Sequence, residues 1–148
     1  MTKPMTIPND ADFASSPLPF SGDCFKGQLV LVSGGGSGIG KATAWCFARL
    51  GAHVIITGRT EQKLIDTVAA LASAGLSASY KIQDIRDYDG IAAMYADIFA
   101  EFGRLDILIN NAGGQFPQSA IDFSKNGWDA VVGNNLNGSW YMMQHAAR

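Results

Sequence analysis

Apolar residues along this chain fall into two patterns, short continuous runs and helically spaced stripes, and the two alternate. Leu29-Val30-Leu31-Val32, His53-Val54-Ile55-Ile56-Thr57 and Leu105-Asp106-Ile107-Leu108-Ile109-Asn110 are short, nearly unbroken apolar runs, and Ala78 to Gln83 is a more mixed one. Runs of this length between turn residues predict strands, and the last of the unbroken ones predicts a strand covered on both faces. Between the runs, apolar residues return every three or four positions. Ile39, Thr43, Cys46, Phe47 and Leu50 share one face of a predicted helix that Gly51 closes. Leu64, Val68, Leu71 and Ala72 face inward on a helix over Glu61–Ser73, ended near Gly75. Ile91, Met94, Tyr95, Ile98, Phe99 and Phe102 form the cleanest helical stripe, read as core. A last helix is predicted over Asn126–Arg148, with Trp128, Val131, Val132, Leu136, Trp140 and Met143 as its apolar positions. Strand and helix repeated at this spacing predict an α/β fold with a doubly wound parallel sheet.

The turn between the first strand and the first helix carries the candidate chemistry. Ser33-Gly34-Gly35-Gly36-Ser37-Gly38-Ile39-Gly40 leaves backbone N–H groups bare at a helix start, which is a seat for a phosphate. The glycines divide the work: one allows the tight turn, one lets the backbone approach a pyrophosphate, and one lets the helix lie close to the sheet. A dinucleotide is the expected guest. The spacing Gly34-x-x-x-Gly38-x-Gly40 differs from the common G-x-G-x-x-G register. A competing reading takes Gly35 to Ala42 as the loop of an ATP or GTP phosphohydrolase, GxxxxGK[ST]. That loop needs a hydroxyl after its lysine to hold Mg²⁺; Ala42 has none, and Thr43 lies on another face of the helix.

About 20 residues past the fingerprint, the second strand ends at Gly58-Arg59, where a dinucleotide fold meets the adenosine ribose. A carboxylate there accepts from a 2′-hydroxyl. Gly58 leaves that seat empty, and Arg59 offers a planar fork of donors suited to a 2′-phosphate. NADP(H) is therefore expected in preference to NAD(H).

A strand followed by Ser-Gly-x-x-x-Gly-Ile-Gly, together with Asn110-Asn111-Ala112-Gly113 at the end of the fourth strand, resembles the short-chain dehydrogenase/reductase family from Lys26 onward. The resemblance implies an NAD(P)-binding Rossmann domain. It implies cofactor contacts from Gly34, Ser37, Gly38, Ile39, Gly40 and Arg59. Asp84 would accept from the adenine amine while Ile85 covers the ring, and Asn111, Ala112 and Gly113 would pass beside the nicotinamide ribose. Asn135, or Asn134 in a register one residue earlier, matches the helix asparagine whose backbone carbonyl holds a water beside the catalytic lysine. Gly113-Gly114-Gln115-Phe116 and Lys125 to Val131 are similar to the group containing peroxisomal trans-2-enoyl-CoA reductase and its bacterial relatives, some of which act on terpenoid alcohols or aldehydes. That likeness implies an acyl-CoA or another long apolar substrate.

The chemistry the family implies is hydride transfer with a tyrosine as general acid, a lysine lowering its pKa and a serine polarising the substrate oxygen. No tyrosine here has a lysine four residues on: after Tyr80, Tyr88, Tyr95 and Tyr141 stand Asp84, Ala92, Phe99 and His145. The family places that pair beyond residue 148, and its strand order would leave the fourth strand with a bare edge. The expectation is the amino-terminal part of a longer oxidoreductase, with strands one to four and their helices but without the carboxyl-terminal half. The family also dimerises through its last helix here, so a homo-oligomer is expected. A catalytically silent nucleotide-binding module is the alternative.

Composition narrows this picture only slightly. Net charge −2 and a pI near 5.5 give no reason to expect nucleic acid or an anionic membrane as partner. No apolar run approaches the roughly 18 residues of a membrane helix. Cys24 and Cys46 stand far apart without a CxxC, which argues against a disulfide framework or a metal site and fits a reducing cytoplasm. Cys46 is read as a small buried hydrophobe. Four of the five prolines fall in residues 1–24, with Asp10 and Asp12, so that stretch is expected to be a flexible arm, with neither secretory nor transit character, ahead of a domain over 25–148.

Overall fold

The computed structural model describes residues 8–20 and 22–148. Elements follow in the order α1 (Asp10–Ser15), β1 (Leu29–Ser33), α2 (Gly38–Arg49), β2 (His53–Gly58), α3 (Glu61–Ser73), β3 (Ala78–Ile82), α4 (Tyr88–Phe102), β4 (Ile107–Ile109), α5 (Lys125–Val132) and α6 (Gly138–Ala146). All strand pairs are parallel, in the order β3-β2-β1-β4. Leu29 lies opposite His53, and Val30 opposite both Val54 and Ile107.

Side chains alternate along β1 and β2, and each face of the sheet receives its own helices. Val30, Val32, Val54 and Ile56 pack with Ala44, Trp45 and Ala48 of α2 and Leu64 and Leu71 of α3. Leu29, Leu31 and Ile55 pack with Ile91, Met94, Tyr95 and Ile98 of α4 and Met142 of α6. Helices on both faces of a parallel sheet make this a Rossmann-type doubly wound fold.

Several expected faces are rotated. The buried stripe of α2 is Gly40, Ala44, Trp45 and Ala48; Thr43 and Cys46 are only half-buried and Ile39 is exposed. The cause is the close seating of Gly40 on the glycine turn, which fixes the roll of the helix. In α3 the buried set is Leu64, Thr67 and Leu71, with Val68 packed at its margin and Ala72 exposed. Thr67 can be buried because its hydroxyl donates to the Lys63 carbonyl at 2.8 Å. β4 is three residues long, pairs with β1 alone and is half-buried rather than covered on both faces.

The last helix is not one regular rod. A π-helical turn over Gly133–Asn137 joins α5 to α6 and shifts the facing positions. Gly138, Met142 and His145 turn inward, whereas Trp128, Leu136, Trp140 and Met143 are exposed. Gly138 sets the approach: a side chain there would come within 2.9 Å of Ile85, including its backbone oxygen.

Within the expected arm, α1 is capped by a reciprocal pair between Asn9 and Asp12 and lies against α2. The Asp10 carboxylate accepts from Lys41 Nζ at 2.8 Å and from Trp45 Nε1 at 3.1 Å, and Arg49 donates to the Phe13 carbonyl at 2.7 Å. Phe13 itself packs against the α2 and α3 core. Composition counts prolines and charges and has no view of these partners, which α2 supplies. Residues 1–7 of that arm lie outside the described residues. No helix among the described residues is long and apolar enough to cross a membrane.

Candidate functional site

A cleft of about 380 Å³ opens at the carboxyl ends of the strands, lined by the loops after β1, β2, β3 and β4, the first turns of α2 and α3, and Asn134. Its floor is the glycine turn. Gly34 stands at φ +70°, a conformation that favours glycine, and the N–H groups of Gly34 and Gly35 both donate to the Thr57 carbonyl, at 2.7 and 3.2 Å. The turn is thereby tied to β2. Ser37, the residue before α2, makes no side-chain bond to the helix start. The first-turn N–H groups of an α-helix have no partner inside the helix, so those of Gly38, Ile39 and Gly40 remain for an anion. A Cβ on Gly38 would meet nothing within 4 Å, so there is room beside those donors for a diphosphate. The residues fit the pyrophosphate of a dinucleotide.

The wall opposite is built by Ser33 and Asn111. Ser33 Oγ accepts from the backbone N–H groups of Asn111 and Ala112, both at 3.0 Å, and donates to the Ile109 carbonyl at 3.3 Å. Asn111 Nδ2 donates to the Ser33 carbonyl at 2.9 Å. The ends of β1 and β4 are locked together, and the backbone of Ala112 and Gly113 is held on the cleft wall. Sequence reasoning did not single out Ser33; its signal was a hydroxyl at the first position of the glycine motif.

At the far end of the cleft stand Arg59, Thr60, Lys63, Gln83, Asp84 and Ile85. Thr60 precedes α3 without capping it through its side chain, so this helix start also keeps its donors. Lys63 was missed from sequence, although it lies four residues after Arg59 and places a cation in the first turn of α3, where the helix dipole disfavours one. The Arg86 guanidinium hydrogen-bonded to Asp84 holds its carboxyl below the usual carboxylate range, against the opposing effect of burial. The charge of Arg59 acts in the same direction.

Of the residues singled out from sequence, Gly34, Ser37, Ile39, Gly40, Arg59, Asp84, Ile85, Asn111, Ala112 and Gly113 line this one cleft. Gly38 and Asn135 are not among its lining residues, while Asn134 is. Asn135 instead clamps the loop after β4: Oδ1 accepts from Gly114 N–H at 3.1 Å, and Nδ2 donates to the Gly114 and Val131 carbonyls at 2.7 and 2.8 Å. Lys41, on which the phosphohydrolase reading depends, is paired with Asp10 outside the lining of the cleft.

Strand order, glycine turn and cleft position together define a nucleotide-binding domain of the Rossmann class. The sequence profile described as short chain dehydrogenase matches residues 28–148, and the chain belongs to that family. Peroxisomal 2,4-dienoyl-CoA reductase of Arabidopsis thaliana is 40% identical over 129 residues, which is 87% of this chain and 43% of that protein. The solved structure of the citronellol catabolism dehydrogenase AtuB of Pseudomonas aeruginosa PAO1 superimposes with TM-score 0.83 at 38% identity, covering 86% of this chain and 52% of that one. A metagenomic short-chain oxidoreductase in complex with NADP gives TM-score 0.78 at 34% identity, covering 82% of this chain and 56% of that one. The chain thus spans about half the length of these relatives. The likeness to enoyl-CoA reductase-type members, expected from the loop motifs, holds at the level of the 2,4-dienoyl-CoA reductase.

Proposed function

We propose that this chain is the cofactor-holding part of an NADP(H)-dependent short-chain oxidoreductase, and that Arg59 and Lys63 select the phosphate-bearing cofactor. The carrying observation is that two cations line the ribose end of the cleft while Gly58 stands where a carboxylate would accept from a 2′-hydroxyl. In this reading the first turn of α2 takes the diphosphate, Asp84 and Ile85 hold the adenine, and Asn111 to Gly113 flank the nicotinamide ribose. Once bound, NADP(H) supplies the hydride; the residues described here bind and orient it. Asn135 positions the loop at Gly114, and Asn134 faces the cleft.

The substrate class proposed is an enoyl-CoA-type or other long apolar carbonyl compound, on the strength of the 2,4-dienoyl-CoA reductase and citronellol relatives. No Tyr-x-x-x-Lys pair lies within residues 1–148, so this chain by itself is proposed to bind cofactor without turnover. The exposed stripe along α5 and α6 is proposed to bind a second copy.

Fluorescence titration of the 148-residue chain with NADPH and NADH tests the cofactor reading. NADPH is expected to bind about 100-fold more tightly, and Arg59→Ala and Lys63→Ala each to remove about 10-fold of that preference, as fits one charge-assisted contact apiece. Equal dissociation constants, unmoved in both variants, would overturn the preference. A parallel assay of NADPH oxidation with a 2,4-dienoyl-CoA is expected to show no turnover by this chain.

A further inference from the structure

Asp84 does not stand alone at the base end of the cleft. Arg86 lays its guanidinium along the carboxylate: Nε donates to Oδ1 at 3.0 Å and to Oδ2 at 3.1 Å, and Nη2 donates to Oδ2 at 2.5 Å. The backbone N–H of Arg86 donates to Oδ1 as well, at 3.0 Å. Beneath the carboxylate the loop is tied twice more, because Asp87 N–H and Gln83 Nε2 both donate to the Asp84 carbonyl, at 3.0 and 2.9 Å. Asp84 lines the cleft, whereas Arg86, with its side chain 48% exposed, is outside that lining. The fork therefore reaches the carboxylate from the solvent side.

A pair this exposed adds little to stability, and the backbone N–H of Arg86 alone makes the local Asx turn. What the fork adds is a fixed carboxylate plane. An ionised carboxylate only accepts, and because three N–H groups of Arg86 make the four contacts, with Nε–H shared between the two oxygens, about one of its roughly four lone-pair sites is left for a ligand. A group held in that way accepts from an N–H on a ligand and repels a carbonyl oxygen at the same place.

We propose that Arg86 is a positioning residue that fixes the Asp84 carboxylate so that the cleft selects a purine carrying an exocyclic amine over its oxo analogue. The proposal rests on the reading of the cleft as a pyridine-dinucleotide site. It extends that reading from the phosphate end to the base, and to a residue that lines no part of the cleft. Arg86→Ala leaves Asp84, Ile85 and the Asx turn in place and releases only the carboxylate plane. Arg86→Lys keeps the charge without the planar fork.

The test compares NADPH with its reduced hypoxanthine analogue, in which the amine is replaced by a carbonyl, on the 148-residue chain checked for folding by circular dichroism. The native chain is expected to bind the adenine form about 30-fold more tightly, because a site built to accept an N–H leaves its acceptor opposed when that donor is replaced. Arg86→Ala should narrow the ratio to about 3-fold, with Arg86→Lys between the two. Loss of overall affinity with an unchanged ratio would mean that Arg86 only supports the loop, and would overturn its role. Arg86→Lys decides the point should Arg86→Ala not fold. A native chain that binds neither nucleotide overturns the dinucleotide reading and this inference with it, whereas a native chain that binds both, with the ratio retained in the variants, overturns this inference alone.

Discussion

At Gly40 three segments meet with no room for a side chain. A Cβ there would lie 2.3 Å from the Gly34 carbonyl oxygen and 2.4 Å from Asn111 Nδ2. The first of these is backbone and cannot rotate away. Gly40→Ala should therefore push α2 off the turn and displace the Asn111 amide, costing about 3 kcal/mol in a denaturant titration and abolishing nucleotide binding. Gly38 is the control. It has open space but φ +55°, so Gly38→Ala should cost only about 1 kcal/mol and leave the fold intact.

His53 supplies a pH test at the same scale. Its ring nitrogens sit 2.6 Å from Ser77 Oγ and 3.1 Å from Ser79 Oγ, and Phe102 lies against the ring. Burial lowers its pKa below the ordinary 6.5, and the charge of Glu101 offsets part of the effect. A depressed imidazole pKa means that the unfolded chain takes up the proton first. The stabilisation is thus fully present above pH 6.5 and is lost as pH falls from there through the lowered value. The melting temperature should drop between about pH 7.5 and about pH 5.5, and His53→Gln should shrink that drop. An identical drop in the variant would assign the acid sensitivity elsewhere. The glycines were legible in the sequence because their spacing is itself the signal. Lys63 and Ser33 were not, because their significance depends on which loops converge on them.

Element order was legible for the same local reason: unbroken apolar runs alternate with segments of period 3.6, and the sheet follows from their spacing. The facing of the helices was not. The roll of α2 is set by Gly40, and that of α6 by the π-helical turn and by Gly138 against Ile85, all of them tertiary contacts. The helix α1 was hidden most completely, since its partners Lys41, Trp45 and Arg49 belong to α2. Asp10 is the residue that joins the two. It satisfies the indole N–H of a tryptophan that is only 2% exposed, and it pairs with a lysine near the start of α2. Asp10→Ala should destabilise the chain by about 1 kcal/mol, since one half-exposed ion pair and one neutral donor are lost together. Amide hydrogen exchange gives the sharper reading: residues 10–16 should lose protection while α2 keeps it. Equal loss in both helices would show that α1 is needed for the integrity of α2.

For the molecule as a whole, the exposed apolar surface falls into two features. Trp128, Leu136, Trp140 and Met143 are at least half exposed, and the last three are spaced to share one side of the π-helical turn and α6. A second apolar feature lies close by, where Leu105, Ile107 and Leu108 at the β4 edge form a shallow pocket with Met143 and Ala146. Contiguous apolar surface of this kind marks an interaction site, and an unpaired strand edge can recruit a partner by a different route, through backbone hydrogen bonds. The two routes give different results on mutation. If the helix stripe drives association, the chain should sediment as a multiple of its 15.7 kDa mass, and Trp140→Glu should return it to the monomer, because a desolvated carboxylate in a helix interface has no partner. If the β4 edge drives it, Trp140→Glu should leave the association intact, since no side chain of α6 takes part in strand pairing. That association closes as a dimer when β4 pairs with its own copy about a twofold axis, and grows without closing when β4 pairs with the β3 edge of the next copy, which leaves a free edge on each addition. Sedimentation velocity of the native and Trp140→Glu chains over a concentration series separates the two routes by whether the variant still associates. The stripe predicts the closed form, because one helical face set against its own copy about a twofold axis leaves nothing further to bind.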